Sequence, residues 1–441
     1  MSTLYLLQPD CLDAAASWIS DVRDDDTLFM TEFDRFVAGP DWHIQRVILY
    51  LSAMRRFRAR LENRLSDSDA EFVYEEIGSN EEAKEAGTSD PSDRLLSRLE
   101  ASDPPARIAT VRPASHEALS RIRNLADDVG AEFELLPDAR FLCTLDEFGA
   151  WREGRKRLVM EYFYREMRKK TGLMMEPEGP AGGEWNFDDR NRRSVPDDEA
   201  VSAPEFGVSP TDEVTTEVLD RVGAWFPSNP GSAERFDWPT GPQQAEKALR
   251  SFVGDRLAKF GPYQDALHTA SGRLFHSGLA TSINLGLLDP LDACSAVEEA
   301  WRDGRVPISS AEGFIRQVIG WREFMRGVYW TEGADFMELN ALDAGRDLPA
   351  SFWTAETDMA CVRHVVSGLL ETGYAHHIQR LMVTGLLAML HGTRPQTVHD
   401  WYMHLYADSA EWVTAPNTIG MSQFADGGVV GTKPYAASGK Y

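Results

Sequence analysis

TLYLLQPDCLD, residues 3–13, opens the chain with a run of apolar β-formers that breaks at Pro9. Residues 3–7 read as a strand, and Gln8-Pro9-Asp10 as the turn that ends it. That turn contains no glycine, so a dinucleotide phosphate cannot approach the backbone there as it does in a G-x-G-x-x-G turn. Working outward, residues 27–31 (TLFMT), 71–77 (EFVYEEI), 107–111 (RIATV) and 132–136 (EFELL) read as further strands. Between them Ile44, Val47, Ile48, Leu51, Met54 and Phe57 recur at helical spacing, and 115–129 carries a second helical pattern. Strand–helix alternation predicts a Rossmann-like α/β domain, a parallel sheet with helices on both faces, holding something other than NAD.

From about residue 240 the pattern changes to helix after helix. Ala245, Ala248, Leu249, Phe252, Leu257 and Phe260 form one stripe, and Phe314, Ile315, Val318, Ile319, Met325 and Val328 another. A long apolar pattern runs from Cys361 to Leu390, and Pro395 opens a further helix. Residues 81–105 read as polar connections around a short helix, and 176–212, rich in Gly, Pro, Asp and Arg, as a long surface linker. The expected organisation is an α/β domain over 1–137, a connecting region with a basic helix over 138–239, and an all-α domain over 240–441. No internal repeat is visible.

Composition bounds the function. With 43% hydrophobic residues and 10% aromatics, the 441-residue chain can bury a large core. No apolar run reaches the length of about 18 residues that a membrane span needs. The start has no basic flank and meets Asp10 early, so a cytoplasmic protein without a secretory signal is expected. The net charge is −25, and only eight of the 45 basic residues are lysines, a balance suited to a salt-rich cytoplasm. The four cysteines, Cys11, Cys143, Cys294 and Cys361, are far apart and outline neither a zinc knuckle nor a disulfide framework.

Polar groups mark where chemistry could sit. Residues 312–330, EGFIRQVIGWREFMRGVYW, set Arg316, Gln317, Arg322, Glu323 and Arg326 among large apolar residues, as a helix lining an anionic or aromatic ligand would. Arginines snorkelling from a core helix are the plainer alternative. In 374–382, YAHHIQRLM, a helix would point His376 and His377 about 100° apart, one to a cofactor and one to a substrate. Residues 408–431 read as a loop-rich segment carrying Asp408, Glu411, Asn417, Gln423 and Asp426, groups suited to the edge of a heteroaromatic ring.

The strings YAHHIQRLMVTG, EGFIRQVIGWREFMRG, RKRLVMEYFYREMRKKTGLM (156–174 within it), GGEWNFDDRNR (182–192) and EWVTAPNTIGMSQFADGG (411–428) closely resemble the iron–sulfur bacterial cryptochrome and (6-4) photolyase family. The resemblance is dense after residue 151 and weaker before it. It implies an antenna-type α/β domain followed by a helical domain that binds FAD, and light-driven repair of UV-damaged DNA at (6-4) photoproducts. The alternative within the superfamily is a cryptochrome-type photoreceptor without repair. His276, Ser277, Asn284, Gln317, Arg322 and Glu323 match positions around the FAD phosphates and sugars, and Asp408 and Asn417 positions near its ring. His377 is the implied proton donor, with His376 second. Trp353, Trp401 and Tyr402 match the family's electron relay. The resemblance assigns Tyr435 to the lesion.

DNA contact is expected from a local basic patch, Arg155, Lys156, Arg157, Arg165, Arg168, Lys169 and Lys170, interleaved with Tyr162, Phe163 and Tyr164. A monomer is expected.

Two departures from the family stand out. Its [4Fe–4S] cluster takes four cysteines, of which Cys361 is the one matched here, so no cluster is expected in this sequence. The family's G-D-Q-L stretch, where a ribityllumazine antenna binds, is replaced by Gln8-Pro9-Asp10-Cys11-Leu12. Asp10 and Leu12 match, and Glu32 stands where an acidic antenna contact is expected; an antenna is allowed, not required.

Overall fold

A computed structural model describes residues 2–99, 104–206, 212–431 and 433–436. The chain forms two compact units, Met1–Arg140 with Ser209–Ala245 and Thr281–Leu288, and Phe141–Val208 with Glu246–Ala280 and Asp289–Tyr441. The expected 138–239 connection is therefore not one segment. Its last part folds with the first unit through a helix, Glu213–Trp225, capped by Asp212, whose Oδ1 accepts from the Thr215 amide at 3.0 Å. The sequence 176–212 hid this because its own aliphatic residues are few, while the helix after it buries Val218, Val222 and Trp225.

The first unit is built on five parallel strands, β1 (Thr3–Leu6), β2 (Thr27–Thr31), β3 (Glu71–Glu75), β4 (Arg107–Val111) and β5 (Glu132–Leu136), in the order β3-β2-β1-β4-β5. In the central strand Leu4 is level with Thr27 on one side and Ile108 on the other. Leu4, Leu6, Phe29 and Ile108 form one buried layer with Leu95, Ile122, Leu125 and Ala126. The residues of opposite parity, Tyr5, Leu28, Met30 and Ala109, are also buried, so both faces are covered, as a parallel sheet requires. The helix Ile44–Arg64 carries the stripe predicted from Ile44 to Phe57, all of it buried. β3 stops short of Ile77 because the Ile77 amide donates to the Glu32 carboxylate at 2.9 Å instead of to a neighbouring strand.

The second unit is helical, and among its described residues four helical stretches widen into π turns: Phe252–Arg256, Arg316–Arg322, Arg380–Gly385 and Pro416–Ser422. A π turn inserts a residue into the 3.6 repeat and displaces side chains that follow. The five-residue step from Phe252 to Leu257 in the apolar stripe is that insertion seen in sequence. Residues 411–422, expected as loop, are helical over Glu411–Ala415 before the π turn. Among the described residues no helix is long and apolar enough to cross a membrane.

Candidate active site

The two adjacent histidines do not share a helix. The helical turn is His377–Gln379, and His376 precedes it in extended backbone at φ −73°, ψ 163°. The 100° separation expected of helical neighbours therefore does not apply to this pair. The His376 amide donates to Gln379 Oε1 at 3.1 Å, which closes the start of the turn. Its ring, 2% exposed, stacks on the ring of His276 with centroids 4.4 Å apart and planes 13° from parallel. His377 is exposed, and its charge acts on both buried rings.

Neither ring nitrogen of His376, nor Nε2 of His276, has a hydrogen-bond partner. Desolvation, reinforced by His276, His377 and Arg380, holds His376 well below the usual imidazole range. Desolvation and then His377 bring His276 down to about 4. Desolvation and then Arg380 bring His377 down to about 4, although the residue keeps solvent exposure. All three are neutral at pH 7 in the protein alone.

Below them Arg380, in a π turn, grips Asp408 with Nη2 at 2.9 and 3.0 Å and donates from Nε to the Ala375 carbonyl at 2.7 Å. Its guanidinium lies 4.1 Å from the Tyr406 ring centroid. Desolvation opposes the charge, but Asp408, Tyr406 and Tyr374 together outweigh it and raise the guanidinium above its ordinary value. Tyr406 stacks on Tyr402 at 5.1 Å, and Tyr402 meets Trp401 edge-on at 5.1 Å. Trp401 is fully buried and donates to the Phe352 carbonyl at 2.9 Å, while Trp353, the next residue, is 41% exposed. An aromatic series therefore runs from the Arg380–Asp408 pair through Tyr406 and Tyr402 to Trp401, which meets the Phe352 ring at 5.1 Å.

The other expected cofactor residues are spread more widely. Gln317 is exposed on its π turn. Arg322 lies 4.2 Å from the Phe141 ring and pairs with Glu323 at 3.4 Å. Glu323 is 2% exposed and accepts from the Leu142 and Cys143 amides at 3.1 and 3.0 Å, which makes it a backbone anchor. Ser277 accepts from the Leu279 amide at 3.3 Å, and Asn417 donates to the Val413 carbonyl at 2.8 Å. Asn284 falls in the first unit, where its carbonyl accepts from Arg140.

Arg256 is a residue the sequence reading missed. It is fully buried in a π turn, donates to the carbonyls of Glu205 (2.7 Å) and His276 (3.2 Å), and leaves Nη2 without a partner. The broken apolar spacing at 252–257 was its only signal.

The basic patch needs correcting. Arg168 is completely buried and donates to the Trp185 and Met174 carbonyls, so it cannot face DNA. Arg165 is paired with Glu161, Lys169 with Glu166 and Lys170 with Glu147. Arg155, Lys156 and Arg157, in the turn before the Met160–Thr171 helix, remain outward, and Arg155 leans on Trp151. Tyr435 is half-buried, and desolvation raises its phenol. Cys361 is exposed in the first turn of the helix Ala360–Thr372. Among the described residues no group of three or more His, Cys, Asp or Glu is arranged to hold a metal ion.

The residues around His276 fit a group such as FAD. Buried polar atoms are almost always bonded, yet here a guanidinium N–H and three imidazole nitrogens lie within one connected cluster without partners. A polar ligand with phosphates and a heteroaromatic edge supplies such partners.

Comparison with known proteins agrees. A family model described as deoxyribodipyrimidine photo-lyase-related protein matches residues 5–238. A protein of Agrobacterium fabrum (strain C58) named (6-4) photolyase is 42% identical over 443 residues, taking in 100% of this chain and 85% of that protein. In fold, a bacterial class III photolyase from Agrobacterium tumefaciens superposes with a TM-score of 0.61 at 15% identity, over 99% of this chain and 81% of that one. An archaeal photolyase from Sulfolobus tokodaii, solved with two FAD molecules, gives 0.58 at 12% identity, over 99% and 86%. The chain belongs to the deoxyribodipyrimidine photolyase-related family.

Proposed function

We propose that this chain is a DNA photolyase that repairs (6-4) photoproducts in UV-damaged DNA, using light and FAD. The observation that carries the reading is the 42% identity, over the whole chain, to a protein named (6-4) photolyase. The exposed His377 beside a buried, partner-poor cluster supports it. FAD, when bound, supplies light-driven electron donation to the damaged bases.

The chain's own residues do the rest. Arg256, His276, Ser277, Gln317 and Arg322 hold the cofactor's polar parts, and the Arg380–Asp408 pair and Asn417 stand near its ring. Tyr402, Trp401 and Trp353 form the route by which electrons from outside reach the site. His377 delivers the proton as a hydroxyl group moves between the two bases, and the stacked His376 holds the turn that carries it. A depressed imidazole is a poor donor at pH 7; the phosphates of bound DNA raise it towards working pH. Arg155, Lys156, Arg157 and Tyr435 contact the damaged strand, whose lesion leaves the stack to reach the histidines. The protein works as a cytoplasmic monomer.

The test is an oligonucleotide carrying one (6-4) photoproduct, illuminated with the flavin-loaded protein and analysed by chromatography. Wild type is expected to restore the bases, and His377→Ala to lower the rate by about 10²–10⁴ with flavin content unchanged. A wild type whose flavin responds to light while the lesion persists would make the protein a photoreceptor.

A further inference from the structure

In an open parallel sheet a ligand crevice lies beyond the carboxyl ends of the strands, where successive connections diverge. The strand order puts that point between β1 and β4. It is where the family resemblance allows a ribityllumazine antenna. Asp10, Glu32, Asp34, Arg46, Tyr50 and Thr110 gather at this edge, and none is more than 7% exposed.

These groups are occupied by neighbouring parts of the chain. Glu32, the expected acidic antenna contact, accepts from Arg55 Nε (2.8 Å) and Nη2 (2.9 Å), the Tyr74 hydroxyl (2.7 Å) and the Ile77 amide (2.9 Å). Four donors fill the lone-pair positions of a carboxylate. Asp10 pairs with Arg140 at 3.2 Å, and Thr110 accepts from Gln8 at 3.1 Å while donating to the Leu6 carbonyl at 2.8 Å. Arg46 holds the Phe36 carbonyl at 2.6 Å, and its guanidinium carbon lies 3.9 Å from the Trp42 ring centroid and 4.2 Å from that of Tyr50. Arg46 and Tyr50 are four apart on the helix, and Trp42, two residues before its start, also meets the guanidinium.

We propose that this crevice is closed by the chain's own side chains: the flat Arg46 guanidinium, between the Trp42 and Tyr50 rings, stands where a flat antenna chromophore would lie, and a ribityllumazine does not bind. The photolyase reading enters only in choosing which chromophore to test. Opening the slot from either wall restores a place for it. Titration of the flavin-containing protein with 6,7-dimethyl-8-ribityllumazine, followed by quenching of the lumazine fluorescence, reads binding directly. Wild type is expected to show none, while Arg46→Ala and, independently, Tyr50→Ile gain affinity by about tenfold or more. Stoichiometric binding by wild type overturns the proposal. So does failure of both variants, each shown folded by its thermal transition, to bind. Flavin absorbance and lesion repair, measured on the same preparations, report on the enzyme reading separately.

Discussion

The stacked rings of His276 and His376 set a pH signature on stability. An unfolded histidine titrates near 6.5, while His276 in the folded chain is held at about 4 and His376 is lowered in the same direction. Between those values the unfolded chain holds more protons, so the contribution to stability is complete above about pH 6.5 and declines as pH falls towards 4. The slope reaches ~1.4 kcal/mol per pH unit for each histidine. Asp34, raised by burial to about 6, works with the opposite sign, losing its contribution as pH rises through that range. The histidine effect is therefore read as a difference: His276→Asn should lose less of its melting temperature than wild type between pH 7 and pH 5. Equal losses would show that the ring is not held neutral by burial. Both histidines were visible in the sequence as individuals, one in GRLFHSGLA and one in YAHHIQR. Their stacking was not, because it joins residues a hundred apart in the chain.

At the scale of elements, the helix Glu323–Glu332 passes the helix Leu145–Arg152 at a point where only hydrogen fits. A Cβ built on Gly327 would lie 2.2–2.4 Å from three atoms of the Phe148 ring. That ring is fixed among Trp151, Phe163 and Phe324, at centroid distances of 5.4, 5.2 and 6.0 Å, and cannot retreat. Gly327→Ala is expected to cost ~1–3 kcal/mol by overpacking, measured by denaturant unfolding. A neutral result would mean the aromatic cluster is loose. The helices themselves were legible from their apolar spacing. Their π turns were legible only at 252–257, where the stripe skips; elsewhere polar residues hide the inserted position. The π turns that carry Arg256, Gln317, Arg322, Arg380 and Asn417 place these residues where a regular helix would not.

For the molecule as a whole, the difficulty is a net charge of −25 on a chain proposed to bind DNA. Overall charge repels DNA, so binding depends on local cations that no carboxylate answers. Most of the basic helix fails that condition, since Arg165, Lys169 and Lys170 each hold a glutamate. Lys156 and Arg157 are exposed and meet it. Replacing both, as Lys156→Glu with Arg157→Glu, should weaken damaged-DNA binding and lower the slope of log affinity against log salt by about two. Fluorescence anisotropy across a salt series measures it. An unchanged slope would move the DNA contact elsewhere on the surface.

What the sequence determined by itself is local and periodic. Short β-forming runs separated by helical stripes specify a parallel sheet, since period and length need no distant partner, and long ordered strings identify the family. Tertiary structure decided how polar side chains are used. Arg168 reads as surface charge, yet carbonyls from the segment beyond its helix take its N–H groups and bury it. Glu32 reads as a ligand contact, yet Arg55, Tyr74 and Ile77 converge on it from a helix, a strand and a turn. A charged side chain has the same identity on a surface, in a site or in a core. Its role is fixed by which donors and acceptors the fold brings within hydrogen-bond reach, and chain order does not encode those distances.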